Sequence, residues 1–467
     1  MKNILTTTIV VFALTTTAFA QTGSVDFTFD SEIGANNTVW TTSIQDDGKI
    51  IIGGDFTTYN GTARNHIARL HVDGTLDTSF DPGTGANLTI RTTSIQSDGK
   101  ILIGGTFTMF NGIAKSRIAR LNVDGTIDTT FVQGTGASDG VYSIAIQNDD
   151  QIIIGGWFTS YNGTPRNKIA RLNLDGTIDN TFNPGTGADL AVLTTSILNE
   201  GQIIVGGAFT SYNGSARNRI ARLNEDGSLD LSFDPGIGAD NWIWTTSIQS
   251  DGKIVAGGLF TYYDGSSRNK IARLNVDGSL DGSFNPGSGA NNDVFTSSVQ
   301  SDGQIIIGGW FSSYNGTARN RITRLNVDGS LDDSFDPGSG ANDIIWTIAL
   351  QSDEQIIVGG QFTGYDGIER NRIVRLQSLT TGINDLNPAA DHIKLFPNPT
   401  RGALTLQADI LSGALVYVYN TAGQLVIQEI IGIGNSLMLD LSNQASGLYT
   451  IEVKQPAYSS RFKVSKQ

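Results

Sequence analysis

The chain has no cysteine and only three histidines among 467 residues. Disulfides, thiolate nucleophiles and cysteine-ligated zinc are therefore excluded. His66 and His71 lie five apart on one predicted strand, which sends them to opposite faces, so they form no metal pair. None of the three, His392 included, has an evident serine partner for nucleophilic catalysis. No apolar run reaches the roughly 20 residues that a membrane-spanning helix needs. Positive charge is also scarce: 31 Lys and Arg stand against 45 Asp and Glu, a formal net charge of −14. An acidic surface repels phosphates and anionic headgroups, which argues against nucleic acid and membrane surfaces as partners. The last 77 residues, with six basic and five acidic side chains, are nearly neutral, so the excess belongs to what precedes them.

Glycine is abundant, with 56 copies, and it is placed with a fixed period. Gly-Gly recurs at Gly53, Gly104, Gly155, Gly206, Gly257, Gly308 and Gly359, each 51 residues after the last. A period of this size means one array whose units share a core. Within the first unit the segments 39–45, 49–56, 66–72 and 76–80 have strand periodicity and β-branched or aromatic side chains. Asp47-Gly48, Asn60-Gly61 and Asp73-Gly74 lie between them and predict tight antiparallel turns. Four strands per unit, seven times over, predict an all-β fold, a seven-bladed β-propeller.

The ends favour a ring over a solenoid. Residues 23–29 (GSVDFTF) align one period before residues 74–80 (GTLDTSF), whereas the seventh unit stops at Arg375-Leu376 without that segment. The N-terminal strand is expected to complete the seventh blade, giving a split closure without open sheet edges. The recurring pattern, QxDGKIxIGGxF followed by YNGxxRNxIARLNxDGxLDxSF, resembles the delta-60 repeat family, propeller-like proteins of secreted bacterial origin, over residues 21–380. That resemblance implies a fold and an extracellular setting, and no chemistry.

Residues 1–20 read as an export signal: Lys2, an apolar stretch over 9–14, and Ala18-Phe19-Ala20 before Gln21. The mature chain is expected to be soluble and outside the cytoplasm. Residues 381–390 read as a linker. Residues 391–467 resemble the C-terminal sorting domain of the type IX (Por) secretion system of the Bacteroidetes. The resemblance rests on Leu395-Phe396-Pro397-Asn398-Pro399, the VYNTAGQLV segment around Gly423, Gly447-Leu448-Tyr449 and the basic end. It implies recognition by the type IX machinery through a motif that includes Pro397, Asn398, Pro399, Gly423, Gly447 and Tyr449. Alternation at Leu415, Tyr417 and Tyr419 separately predicts a small β-sandwich.

Residues repeated in all seven units are expected to serve the fold. The Arg69 series (every 51 residues to Arg375) and the Asp26 series (to Asp332) are read as charge-assisted bridges within or between blades, against an alternative of guanidinium rings lining an anion channel. Asn122-Val123-Asp124-Gly125 echoes a calcium loop, but Arg120 stands where its first Asp belongs, and a hairpin turn explains the Asp-Gly. No cofactor or metal is predicted.

Variable positions carry the binding expectation. One series runs Trp40, Arg91, Tyr142, Leu193, Trp244, Phe295, Trp346. A second, after each Gly-Gly, includes Trp157 and Trp310. Apart from Trp242, every tryptophan falls in these two series. Aromatic faces stack on sugars or grip peptide side chains, while gap-filling between blades is the competing explanation. Trp40, Arg91, Tyr142, Trp244, Phe295, Trp346, Trp157 and Trp310 are thus the candidate ligand-binding residues. The function expected is a secreted or cell-surface, non-enzymatic binding or adhesion propeller for an extracellular glycan or protein. The alternative is a propeller hydrolase or lyase acting on polysaccharide, which would need a non-repeated pair of carboxylates in one cleft.

Overall fold

The computed structural model describes residues 22–378 and, beyond them, 394–396, 400–407, 415–420, 424–430, 436–455 and 458–466. The export signal over 1–20, the linker over 381–390, His392, Pro397, Asn398, Pro399 and Gly423 lie outside the described residues. The chain divides into two compact units, Met1–Leu379 and Thr380–Gln467.

The first unit is a seven-bladed β-propeller. In the first blade, β1 (Val39–Ile44) is innermost and pairs antiparallel with β2 (Ile50–Gly54), which pairs with β5 (Ile67–Leu70). Between β2 and β5 a two-residue hairpin is inserted, β3 (Thr58–Tyr59) and β4 (Thr62–Ala63). Asn60 and Gly61 at its tip both have positive φ, 47° and 72°, as a two-residue hairpin turn of the right hand requires. At Asp47-Gly48 and Asp73-Gly74 only the glycine has positive φ, so those turns are of a different kind. The same elements recur in every blade.

The expected fourth strand is reduced to a single bridge, Leu70 to Leu76. The reason is local chemistry. One carboxylate oxygen of Asp77 accepts from both the backbone N–H (2.9 Å) and the hydroxyl (2.6 Å) of Ser79, curling the chain out of the ladder.

The ring closes as the ends predict. Val25 bridges Leu376, and Gly23 N–H and Asp26 N–H donate to the carbonyls of Gln377 (2.8 Å) and Arg375 (2.9 Å). Innermost strands of blades one and seven are then neighbours, with the Thr42 and Thr347 hydroxyls 2.9 Å apart.

Each Gly-Gly lets blades approach. A Cβ on Gly53 would lie 2.7 Å from Ile90 Cγ2 of the next blade, and one on Gly359 would lie 2.8 Å from Val39 Cγ1 across the closure. The core is continuous between blades. Ile357 and Ile373 of blade seven, with Phe29 of its closing segment, pack in one cluster with Val39 and Tyr59 of blade one.

The second unit holds two antiparallel sheets, one of three strands and one of four, that share a buried cluster including Leu404, Val416, Val418, Leu439 and Ile451. This is the small β-sandwich. Its core face on the 415–419 strand is that of Val416 and Val418, while Leu415, Tyr417 and Tyr419 are half-buried on the other. Tyr449 is buried in the cluster and donates its hydroxyl to the Ala445 carbonyl at 2.6 Å, two residues after Gly447 opens its strand.

Candidate functional site

The variable aromatic series owes its position to a bulge. Val39 pairs with Gly54 and Thr41 with Gly53, so Trp40 is an extra residue with no partner on β2, and the same shift recurs at each equivalent. The unpaired residue is thrown off the ladder at one end of the innermost strand. Seven such side chains meet around the axis.

They form a closed circle. Trp40 lies 4.3 Å from Trp346 (ring centroids), Trp346 stacks on Phe295 at 4.2 Å with 26° between planes, and Phe295 meets Trp244 edge-on at 5.7 Å. Leu193 lies in a small buried cluster with Ala191 and Ala208, against which Tyr142, Trp157, Trp242 and Trp244 pack. The Arg91 guanidinium completes the circle, 3.6 Å from the Trp40 ring and 5.7 Å from that of Tyr142. Arg91 and Leu193, which interrupt the aromatic series in sequence, thus link its two halves in space. Trp244 and Trp346 also touch across an intervening blade, at 6.2 Å. The members other than buried Leu193 are half-buried.

Polar groups in the ring are unevenly served. Trp40 Nε1 donates to Asp55 Oδ2 at 2.8 Å, and the Thr89 hydroxyl donates to the other oxygen of Asp55. Trp244 Nε1, Trp346 Nε1 and Arg91 Nε are shielded from solvent without a hydrogen-bond partner. Burial pushes the Arg91 guanidinium down from its ordinary value, against the pull of Tyr142 and Asp55.

The second series does not act as a group. Trp157 packs against the cluster that holds Leu193, whereas Trp310 is 46% exposed and Ala208 is fully buried.

A basic series at the same end was not singled out from the sequence. His66, Arg117, Lys168, Arg219, Lys270, Arg321 and Arg372 all have φ of 67–70° and open the third long strand of their blades. Lys168 Nζ and Lys270 Nζ each donate at 2.8 Å, and Arg321 Nη1 at 3.1 Å, to the carbonyl of the residue after Gly-Gly. The signal was the tripeptide RNH, RNK or RNR before Ile, also present as KSR in the second unit, which places a second cation two residues earlier. These segments and Arg91 supply 14 of the 24 Lys and Arg in residues 22–378, whereas the turns equivalent to Asp47-Gly48 and Asp73-Gly74 carry three Lys against 17 Asp and Glu. The acidity inferred for the whole surface is therefore concentrated at those turns.

The repeated charges serve the fold. Arg69 Nε donates to Asp77 at 2.8 Å, while Nη1 reaches the Val123 carbonyl in the next blade. Equivalent reaches join most successive blades, and Arg375 closes the circle onto Asp26 (2.7 Å) and Val72 (2.6 Å). Burial alone would raise the Asp77 carboxyl, but the bonds from Ser79 and Arg69 hold it well below the usual carboxylate range. These guanidinium groups are buried and committed, which removes the anion-channel reading. Asp124 likewise accepts from the Thr126 N–H and hydroxyl, closing its own turn.

His66 and His71 separate to opposite ends of β5. His66 Nδ1 is 2.9 Å from the Gly54 carbonyl, and His71 Nε2 is 3.9 Å from Asp77. Among the described residues, no three His, Asp or Glu side chains gather in a group able to hold a metal ion.

A family model described as a domain of unknown function (DUF5122) beta-propeller matches seven times, at residues 45–80, 96–131, 147–182, 199–233, 249–284, 300–335 and 351–378. A model described as a secretion system C-terminal sorting domain matches residues 394–467. No curated protein matches the chain. Among solved structures, the chain is similar to the extracellular region of Plexin A4 (domains 1 to 8), with 10% identity, 92% of this chain and 61% of that chain covered, and a TM-score of 0.39. A second Plexin A4 structure (domains 1 to 10) gives 10% identity, 92% and 52% coverage and the same TM-score. The chain thus spans between half and two thirds of the plexin regions it matches. The BSP domain of a biofilm associated protein follows at 10% identity, 95% and 89% coverage and a TM-score of 0.13. Likenesses this distant carry no functional argument.

Proposed function

We propose, for a chain that belongs to the DUF5122 β-propeller family and carries a sorting domain that directs it to the cell surface or the extracellular space, that the propeller is a non-enzymatic binding or adhesion module. Its recognition surface is the end that bears the aromatic ring, and its ligand is an extracellular glycan or protein. The observation that carries this reading is the convergence of the variable positions: where the repeat is relaxed, the side chains meet at one end of the axis. Half-buried aromatic rings around a guanidinium offer flat apolar faces beside a fixed donor, the mixture that ligand sites use. The surrounding cations add long-range attraction for acidic partners. Domain limits of 21–380 for the propeller, 381–390 for a linker and 391–467 for the sorting domain belong to the same proposal.

The test is direct binding of the mature protein to arrayed extracellular glycans and surface proteins, followed by Trp244→Ala and Arg91→Ala variants. Loss of binding in folded variants supports the reading. Turnover of a polysaccharide, abolished by Asp55→Asn, would replace it with the hydrolase or lyase alternative.

A further inference from the structure

The aromatic ring is not uniform around its circle. Blade four holds only aliphatic side chains, Ala191, Leu193 and Ala208, at three positions that vary between blades. Those three are buried, and they are covered from both sides: Tyr142 and Trp157 of blade three and Trp242 and Trp244 of blade five pack against them. Three of the chain's six tryptophans thus gather over one blade, which makes this sector the aromatic side of the ring. All four rings are half-buried, so part of each faces solvent. Those of Trp242 and Trp244 lie 6.2 Å apart and are tilted by 50°.

Cations border this patch, and their own bonds fix them there. Lys168 Nζ donates to the Trp157 carbonyl at 2.8 Å, Arg219 Nη1 to that of Ala208, and Lys270 Nζ to that of Leu259 at 2.8 Å. Trp157 and Ala208 belong to the patch itself, so the charges stand at its edge. Among the described residues Lys168 and Arg219 have no ion-pair partner, and Lys270 has Asp293 at 3.4 Å. The acids of the adjoining loops, Asp139, Asp189 and Asp240, accept from nearby backbone N–H groups instead. The main chain around the patch is paired as well: the N–H groups of Trp157, Ala208 and Leu259 donate to the carbonyls of Gly140, Ala191 and Trp242 at 3.0, 2.9 and 2.8 Å. What remains for a ligand is a set of ammonium and guanidinium donors beside aromatic faces. A peptide would find no free main chain to pair with, and a nucleobase stacks on a flat platform that rings tilted by 50° do not form. An acidic sugar meets both demands, with carboxylate or sulfate oxygens on the cations and puckered C–H faces on the tilted rings.

We propose that the patch over blade four is a subsite for an acidic polysaccharide, its carboxylate or sulfate groups held by Lys168, Arg219 and Lys270 and a pyranose face laid on the tryptophans. The assignment rests on the reading of the ring end as the recognition surface, and it names the class of ligand that this surface takes.

Three variants test it. Lys168→Gln and Arg219→Gln remove charge from the edge of the patch, and Trp242→Thr gives blade five the residue that blades one and two carry at Thr38 and Thr89. Lys100→Gln, in the turn with Asp98 at the opposite end, removes a charge away from the patch and serves as control. The mature chain is titrated calorimetrically with oligogalacturonate and with dextran sulfate, each against its uncharged counterpart, the carboxyl-reduced oligomer or plain dextran. Thermal unfolding is followed in parallel. A charged oligomer is expected to bind about tenfold or more tightly than its counterpart, and the tighter of the two identifies the anionic group. Each patch variant should lose about tenfold or more in that affinity. The two glutamine variants should keep the wild-type unfolding midpoint, which separates lost binding from lost fold; Lys100→Gln should keep both. Equal affinity for the uncharged counterparts, or wild-type affinity in Lys168→Gln and Arg219→Gln, overturns the acidic subsite and leaves the binding reading standing. Equal affinity for polyglutamate or single-stranded DNA overturns it too. A wild type that binds other glycans or proteins but none of these probes has the same consequence, and one that binds no glycan or protein at all overturns both.

Discussion

Asp26→Ala is the sharpest probe of how the ring is held. Asp26 accepts from Arg375 Nε at 2.7 Å and from the N–H (2.9 Å) and hydroxyl (2.8 Å) of Thr28. Its side chain is 3% exposed and that of Arg375 9%. Removing the carboxylate leaves a buried guanidinium without its counter-charge, which costs about 3–5 kcal/mol. Arg375→Ala leaves the reverse defect and also removes the reach to Val72 and the contact over Phe29. With both changed there is no buried charge left to strand. The double variant is therefore expected to cost at least about 2 kcal/mol less than the sum of the singles. Urea unfolding, with slopes compared to exclude partial opening, measures all four corners. Arg171 and Asp179, 2.6 Å apart within one blade, form the control. The closing pair should cost at least as much as the internal one, because Asp26 also anchors the segment that completes blade seven. Additive singles, or an Asp26→Ala variant within 1 kcal/mol of wild type, would refute the clamp as the device of closure.

Acid stability has a defined sign. The carboxyls of Asp77, Asp128 and Asp281 are held below their unfolded values, so their contribution is present above the unfolded pKa and fades as pH falls through the folded one. Stability should decline progressively below about pH 4.5, measured as urea midpoint against pH. Tyr59, Tyr161 and Tyr212 are pushed up by burial, so their contribution is complete below the unfolded tyrosine value and is lost as pH rises through the higher folded one. Unfolding should accelerate above about pH 10. In the ring, Trp346→Ala should cost about 2–4 kcal/mol, for it loses contacts with Trp40, Phe295 and Trp244, whereas Trp310→Ala should cost under about 0.5. A chain ended after Ser378, which keeps the closing bonds of Gln377, should fold with an unchanged midpoint yet fail to reach the cell surface or medium on fractionation; normal delivery would contradict the sorting role.

Period, turns and ends were legible because each is a one-dimensional signal. Seven Gly-Gly pairs at equal spacing need no partner to be read, and residues 23–29 declare their place by matching residues 74–80. The shortened outer strand was not legible, since LDTSF has strand composition and only the Asp77–Ser79 bonds show the backbone turning away. Whether Trp40 would point to the axis or into a blade interface depended on a one-residue register shift between Val39 and Thr41, which periodicity alone does not specify. Charge was misleading in a different way. A net value sums over the surface, and here it averages an end rich in lysine and arginine with turns rich in aspartate. In the sorting domain the alternation was visible, but two apolar faces competed, and the smaller valines rather than the tyrosines took the core.

The distribution of invariant and variable residues follows from how a propeller is stabilised. Every blade must meet its neighbour through the same surfaces, so the residues at those junctions are constrained seven times over: Gly-Gly for close approach, Arg for the reach to the next blade, Asp to neutralise it. The bulged residue makes no ladder bond, and nothing in the repeat dictates its identity. Tryptophan, arginine, tyrosine, leucine and phenylalanine all occur there without disturbing the strands around them. Freedom from the fold is what allows a position to be tuned to a ligand. The same logic applies at Gly364 and Glu369, which lie on a hairpin that contributes two short strands to its blade, and at Trp310, which is exposed. Because the bulged residue is outside the ladder, conservative changes among large side chains there should alter binding more than stability, whereas truncation also loses the ring contacts. Changes in the Arg–Asp clamp should do the reverse, and that opposition separates the scaffold of this protein from its recognition surface.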